Sequence, residues 1–269
     1  AAMPAFSRPL AHCPDAALRP VAGVLTDIDD TLTHEGAIEP EALRALAELR
    51  AAGLPVIAIT GRPMGWSEPF ARDWPIDAIV AENGAVALFM EGGHLRTEYA
   101  QDEATRAHNA QRLAAAAQRV LREVPGATLA RDSAGRVTDI AVDHSEFAHL
   151  SAQRIDAVVA IMREQGMNAT VSSIHVNGWF GTHDKRSGAQ WIVQRLLGRN
   201  VEAERDRWVY VGDSTNDQLM FAHYPLSVGV ANLMRFAEQL TEWPAWITQA
   251  ERGRGFAELS ARLLAARRA

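Results

Sequence analysis

Cysteine is almost missing from this 269-residue chain. Cys13 stands alone, so no internal disulfide can form and no cysteine-based zinc cluster can be built. Lysine is equally scarce: Lys185 is the one lysine among 27 Lys and Arg residues. Arginine substitutes for lysine on most surfaces, but a planar guanidinium does not replace a compact ammonium in a tight site. The surviving lysine is therefore a candidate for a role that only lysine fills. No run of about eighteen apolar residues occurs, so no membrane-spanning helix is expected. The first residues show no basic-then-apolar leader pattern, and the expected location is the cytoplasm. Positive charge is not in excess: the net charge is −6. Nucleic acid and anionic membrane surfaces are therefore not expected as partners. Repeats and low-complexity tracts are also lacking.

What is present is an apolar content of 48%, enough for one large core or two modest ones. Strands and helices alternate, which predicts a parallel sheet. The segment 22–33 reads Ala-Gly-Val-Leu-Thr-Asp-Ile-Asp-Asp-Thr-Leu-Thr, a buried strand running into Asp27, Asp29 and Thr31. A helix should start at Glu39-Pro40-Glu41 and end at Gly53. Strands follow over 55–60, ending in Thr60-Gly61-Arg62-Pro63, and over 78–81, ending in Glu82-Asn83-Gly84. From Ala85 the pattern changes. Residues 86–90 and 94–98 form a hairpin around Gly92-Gly93. A long helix spans about 103–123, a strand 137–142, a helix 151–165 and a strand 169–176. The α/β pattern then returns with a helix over 190–197, a strand over 208–212, a short helix over 218–223, a strand over 226–230 and a last helix seeded by Phe256, Leu259, Leu263 and Leu264. Residues 1–20, with four prolines, read as a loose lead-in. The expectation is a Rossmann-like parallel-sheet core over 1–85 and 179–269, with an inserted α+β unit over 86–178.

Ligands of open parallel sheets bind outside the carboxyl ends of the strands. Those ends collect the chemistry of this chain. Asp27 and Asp29 follow one strand, Thr60 another, and Gly212-Asp213-Ser214-Thr215-Asn216-Asp217 a third; Lys185 precedes a helix. Two acids held together repel and need a cation or a shared proton. Mg²⁺ suits an all-oxygen set, while ammonium and hydroxyl suit an anion such as phosphate. The nine histidines include no zinc spacing of the His-Glu-x-x-His kind, and His144 and His149 read as polar surface. His175, Asn177 and His183 are candidate substrate contacts near the junction of core and insertion; Arg62 could also reach a substrate but reads first as a local salt-bridge residue. Trp66 and Trp179 are candidates to face the same cleft.

In the order of these four motifs the chain resembles the haloacid dehalogenase (HAD) superfamily of phosphohydrolases, subclass IIB, which includes the sucrose-phosphate and mannosyl-phosphoglycerate phosphatases. The motifs span roughly 21–230, and Glu82-Asn83-Gly84-Ala85 is also typical of the subclass. One position departs: the family often has Gly where this chain has Asp30. The resemblance implies Asp27 as the nucleophile and Asp29 as the general acid and base. It implies Mg²⁺ held by Asp27, by the backbone carbonyl of Asp29, by Asp213 and, directly or through water, by Asp217. Thr60, Lys185 and Asn216 would bind the transferring phosphoryl group. The insertion would be a lid that sets specificity, hinged near 84–88 and 177–183 at Gly84, Gly178 and Gly181. The expected activity is hydrolysis of a small phosphorylated metabolite, a sugar or glycosyl phosphate, by a monomer or small homo-oligomer. A phosphomutase or phosphotransferase with the same intermediate, or a non-catalytic sugar-phosphate binder, is the alternative.

Overall fold

The computed structural model describes residues 7–269. In chain order the elements are β1 (Arg8–Pro9), α1 (Asp15–Leu18), β2 (Gly23–Thr26), β3 (Thr33–His34), β4 (Ala37–Ile38), α2 (Pro40–Ala51), β5 (Val56–Ile59), α3 (Met64–Asp73), β6 (Ala78–Ala81), β7 (Val86–Glu91), β8 (His94–Tyr99), α4 (Glu103–Glu123), β9 (Asp139–Asp143), α5 (Ala152–Glu164), β10 (Asn168–Val171), β11 (His175–Trp179), α6 (Lys185–Leu197), β12 (Trp208–Gly212), α7 (Gln218–His223), β13 (Leu226–Gly229), β14 (Trp246–Ile247) and α8 (Arg252–Arg268).

Nine strands form the central sheet in the order β1-β14-β13-β12-β2-β5-β6-β7-β8. All neighbours are parallel from β1 to β6; β7 and β8 close the edge antiparallel. The central strands carry short runs of apolar residues, buried on both faces, as parallel strands between helix layers require. Val24, Val56, Ile79, Val209 and Val211 pack on one face with Leu46 of α2 and Phe256 and Leu259 of α8. Leu25, Ile57, Val80 and Tyr210 pack on the other with Ile192 and Val193 of α6 and Phe221 of α7. β2 lies between β12 and β5, so the sheet places the ends of these three strands side by side.

A second, three-stranded antiparallel sheet, β10-β11-β9, carries α4 and α5 over its own core of Leu113, Val120, Val142, Val158, Met162 and Val176. The hairpin at 86–99 does not belong to this layer. β7 pairs with β6 of the central sheet through Leu88↔Ile79 and Ala87↔Val80, so the chain leaves that sheet after Tyr99 rather than at 86. The hairpin around Gly92-Gly93 had read as a change of fold, whereas it forms the antiparallel edge of the central sheet. The crossings lie near 100–102 and 180–184, where Gln101 Nε2 donates to the Phe180 carbonyl at 3.1 Å. Gly84 and Gly178 are accordingly packing positions: a Cβ on Gly84 would lie 2.1 Å from the Asp184 carbonyl oxygen, and one on Gly178 2.6 Å from Met162 Sδ.

Three further differences have local causes. The strand expected over 169–176 is two strands, broken by Ser172–Ile174, where Ser172 Oγ accepts from the amides of Ile174 and His175. The lead-in is tied down from Ser7 on, with β1 on β14 and Leu10, Cys13 and Leu18 buried; Pro4 lies outside the described residues. α3 and β14 carry no strong apolar period and were not anticipated. Among the described residues no helix is long and apolar enough to cross a membrane.

Candidate active site

The turn after β2 sets the geometry. The amide of Asp27 donates to the Val211 carbonyl at 2.9 Å, which holds the strand end against β12. Three residues on, Asp30 has φ 59°. That left-handed conformation suits Gly, and Asp or Asn are the side chains that tolerate it best. The departure from the family's frequent Gly at this position thus has a simple basis. Asp30 is further held by Arg252 Nε at 3.2 Å and by Asn232 Nδ2 on its carbonyl at 2.9 Å.

Asp27, Asp213 and Asp217 meet beneath this turn, with one oxygen from each within 4.8 Å of the others. Lys185, at the first turn of α6, reaches across to Asp27 Oδ1 at 3.1 Å and Asp217 Oδ1 at 3.2 Å. Its ammonium is 3% exposed, so burial alone would drive off its proton; Asp217 and Asp27 outweigh that and raise its pKa. The lone lysine of the chain is therefore fully ionised at the centre of the acid cluster.

The three acids do different work. Asp217 is saturated: Oδ1 accepts from Lys185 and from the Tyr210 hydroxyl, and Oδ2 from the amides of Asp213 at 2.8 Å and Ser214 at 3.1 Å. It folds the loop after β12. Gly212 makes room for it, because a Cβ there would sit 2.4 Å from Asp217 Cγ. Asp213 has Oδ1 on Thr31 Oγ1 at 3.0 Å, while its Oδ2 is buried without a partner. An orphaned buried carboxylate oxygen is costly unless a cation completes it. Burial, then Asp27 and Asp217, push the Asp213 pKa well up, and burial raises that of Asp27 to about 6 despite Lys185. The donor set is all oxygen and crowded with negative charge, so it fits a hard divalent cation.

Above the cluster lies a chamber of about 10 Å³ lined by Asp27, Asp29, Thr60, Gly61, Arg62, Ser172, Ile174, His175, Asn177 and Asn216. This is room for about one water. The structure thus brings together ten of the residues expected at the site: eight line this chamber or Lys185's cluster from the parallel-sheet core, and His175 and Asn177 come from β11. Asn216 Oδ1 accepts from Ser214 Oγ at 2.7 Å, and Thr60 Oγ1 accepts from the Arg62 amide at 3.0 Å. Asn177 Nδ2 donates to the Gly61 carbonyl at 3.2 Å and to Asp139 at 3.1 Å.

His183 is the exception. Its ring stacks on Trp179, its Nε2 is buried without a partner, and it lines no part of the chamber. Trp179 is likewise buried, donating its indole N–H to the His183 carbonyl. His144, expected at the surface, is 3% exposed and bonds Ser145 Oγ and the Ser172 carbonyl.

Arg62 makes salt bridges, and the sequence does not reveal its partners. It is 4% exposed and pairs with Asp29 twice, at 2.8 and 2.9 Å, with Asp132 at 3.0 Å and with Glu146 at 2.7 Å. Asp132 and Glu146 belong to the inserted layer, and neither carries a motif. Glu82 was also unassigned. It is fully buried with φ 51°, and its carboxylate accepts from the amides of Met64, Val137 and Thr138. Burial, then Asp139, raises its pKa to about 7. It is a joint between the sheet and the insertion.

This fold and site define a parallel-sheet α/β core with acids at the strand ends. Residues 24–118 match the family model of the haloacid dehalogenase-like hydrolases. The chain has the haloacid dehalogenase-like fold and carries that family's sequence signature over those residues. No curated protein matches it in sequence. Among solved structures it is similar to a Thermoplasma acidophilum protein (13% identity, TM-score 0.68, 91% of this chain and 98% of the other). It is similar to the sucrose-phosphatase of Synechocystis sp. PCC6803, solved with sucrose and phosphate (18%, 0.63, 90% and 98%). It is also similar to a haloacid dehalogenase-like hydrolase from B. subtilis (15%, 0.60, 90% and 99%).

Proposed function

We propose that the protein is a Mg²⁺-dependent phosphatase that hydrolyses a small phosphorylated metabolite, a sugar or glycosyl phosphate, through an aspartyl-phosphate. The observation that carries this reading is the pairing of Asp27 with Lys185 beside the orphaned Asp213 oxygen. A carboxylate at a strand end, an ammonium and a vacant anionic donor together suit phosphoryl transfer, in which the protein mainly positions groups and offsets charge.

In this reading an Asp27 oxygen attacks phosphorus, the ester P–O bond breaks, and the departing oxygen takes a proton from Asp29. A water then gives its proton back to Asp29 as it attacks, and the bond from Asp27 to phosphorus breaks. Lys185, Thr60 and Asn216 hold the phosphoryl oxygens. Asp27, Asp213 and the Asp29 carbonyl would hold Mg²⁺, which when bound offsets the charge of the transferring group. Asp217 acts behind them by fixing the loop and Lys185. The inserted layer is the specificity cap: Ser172, Ile174, His175 and Asn177 form the roof of the chamber, and it must move to admit a substrate. The sucrose-phosphatase likeness supports the sugar phosphate as substrate class.

The test is phosphate release from a panel of sugar phosphates with Mg²⁺ or EDTA. Turnover that needs the metal and disappears in Asp27→Asn supports the reading. Turnover retained in the variant contradicts it.

A further inference from the structure

The Asp29 carboxylate is held by one side chain. Arg62 Nε and Nη2 meet its two oxygens at 2.8 and 2.9 Å, a fork-to-fork pair that fixes the plane of the carboxylate as well as its place. Arg62 does not choose where that fork points. Its Nη1 is bound by Asp132 Oδ2 and its Nη2 by Glu146 Oε2, and Trp66 lies under the guanidinium at 4.6 Å.

Both outer carboxylates are themselves built in. The Asp143 side chain accepts from the amides of Glu146, Phe147 and Ala148 at 2.8, 3.0 and 3.1 Å, which shapes the loop that presents Glu146. His175 Nε2 bonds the other Glu146 oxygen at 3.0 Å. Asp132 Oδ1 accepts from Arg136 Nη2 at 2.9 Å, and Arg136 Nη1 donates to the Gly61 carbonyl at 2.9 Å, next to Arg62 in the chain. Surface ion pairs form casually; this set converges on the buried Arg62 from half-buried carboxylates and is anchored at both ends.

We propose that Glu146 and Asp132 are positioning residues for Asp29, acting through Arg62. Docking of the inserted layer on the parallel sheet then aligns the carboxyl group that hands its proton to the leaving oxygen. The inference rests on the phosphatase reading above. An error of ~1 Å in such a group costs about 100-fold in rate. That cost falls on esters whose leaving oxygen needs a proton. A leaving group stable as its anion, such as p-nitrophenolate, departs without one.

The experiment compares kcat/KM for the best sugar phosphate of the panel and for p-nitrophenyl phosphate, both with Mg²⁺, in wild type, Glu146→Gln and Asp132→Asn, with Asp29→Asn as reference. kcat/KM reports the steps up to departure of the leaving group. The sugar-to-aryl ratio should fall about tenfold or more in both variants, in the direction that Asp29→Asn gives, since general acid catalysis is worth roughly 10²–10⁴-fold. The two variants touch different nitrogens of Arg62, so a folding defect in one leaves the other to decide. Equal losses on both esters would show a merely structural role and overturn the proposal. A wild type that releases phosphate from neither ester contradicts the phosphatase reading itself, and this inference with it.

Discussion

Lys185 shows how much one side chain can be asked to do. It neutralises Asp27 and Asp217 at 3.1 and 3.2 Å while 3% exposed. A guanidinium is longer, planar and forked, and cannot make both contacts from the same stem without moving the acids. Lys185→Arg should therefore lower phosphate release at least about 100-fold while the protein stays folded, read by initial rates and circular dichroism. Glu146 gives a prediction in pH. Burial opposes its charge, but His175 and Arg62 outweigh that and hold its pKa down to about 2. A folded-state pKa below the unfolded value contributes stability that is present above the ordinary carboxylate range and is lost as pH falls toward about 2. Urea midpoints measured between pH 5 and about 2.5 should drop more steeply for wild type than for Glu146→Gln, which carries no titrating group at this position. Parallel curves would remove Glu146 from the ion-pair set.

At the scale of elements, the loop after β12 is the most finely fitted piece. Gly212 leaves space that the Asp217 carboxylate fills, and Asp217 in turn accepts the Asp213 and Ser214 amides. Gly212→Ala puts a Cβ 2.4 Å from Asp217 Cγ. The loop must shift, and activity should fall at least about 100-fold with a raised Mg²⁺ requirement, measured by metal titration of the rate. Asp30→Gly probes the turn after β2 in the opposite sense. Because φ there is 59°, Gly relieves strain, and a stability change of less than about 1 kcal/mol is expected from chemical unfolding. The elements also show what a sequence reveals and what it hides. Strand ends with acids were legible because buried parallel strands are apolar runs cut off by polar residues, so Asp27, Thr60 and Asp213 stood out. The hairpin at 86–99 was legible as a hairpin but not in its partner, since a Gly-Gly turn does not name the sheet its strands join. Asp132 and Glu146 were not legible at all: each is an ordinary acid in a polar stretch, and only the fold turns it toward Arg62. Glu82 stood out as part of a strand-end motif, but only the fold shows that it binds the amides of 137 and 138.

Across the whole molecule, two layers meet at a chamber of about 10 Å³, too small for any ester. The described arrangement is thus a closed one. The contacts that keep it closed are polar and specific: Arg62 with Asp132 and Glu146, Arg136 and Asn177 on Gly61, and Glu82 on the 137–138 amides. Beside the chamber, and sharing Asp29, Arg62 and Ile174 with it, a cavity of about 490 Å³ opens past His34, Glu35, Arg235 and Arg252. The account stands or falls on Asp27. Asp29→Asn, which leaves the attacking carboxylate but removes the base, is mixed with Mg²⁺ and p-nitrophenyl phosphate, whose leaving group departs without a proton, and quenched in acid, and the peptide that contains Asp27 is weighed by mass spectrometry. The account predicts a gain of one phosphoryl group on Asp27, absent in the Asp27→Asn double variant. Phosphate released by wild type with no such adduct at Asp27 under any quench time would contradict it.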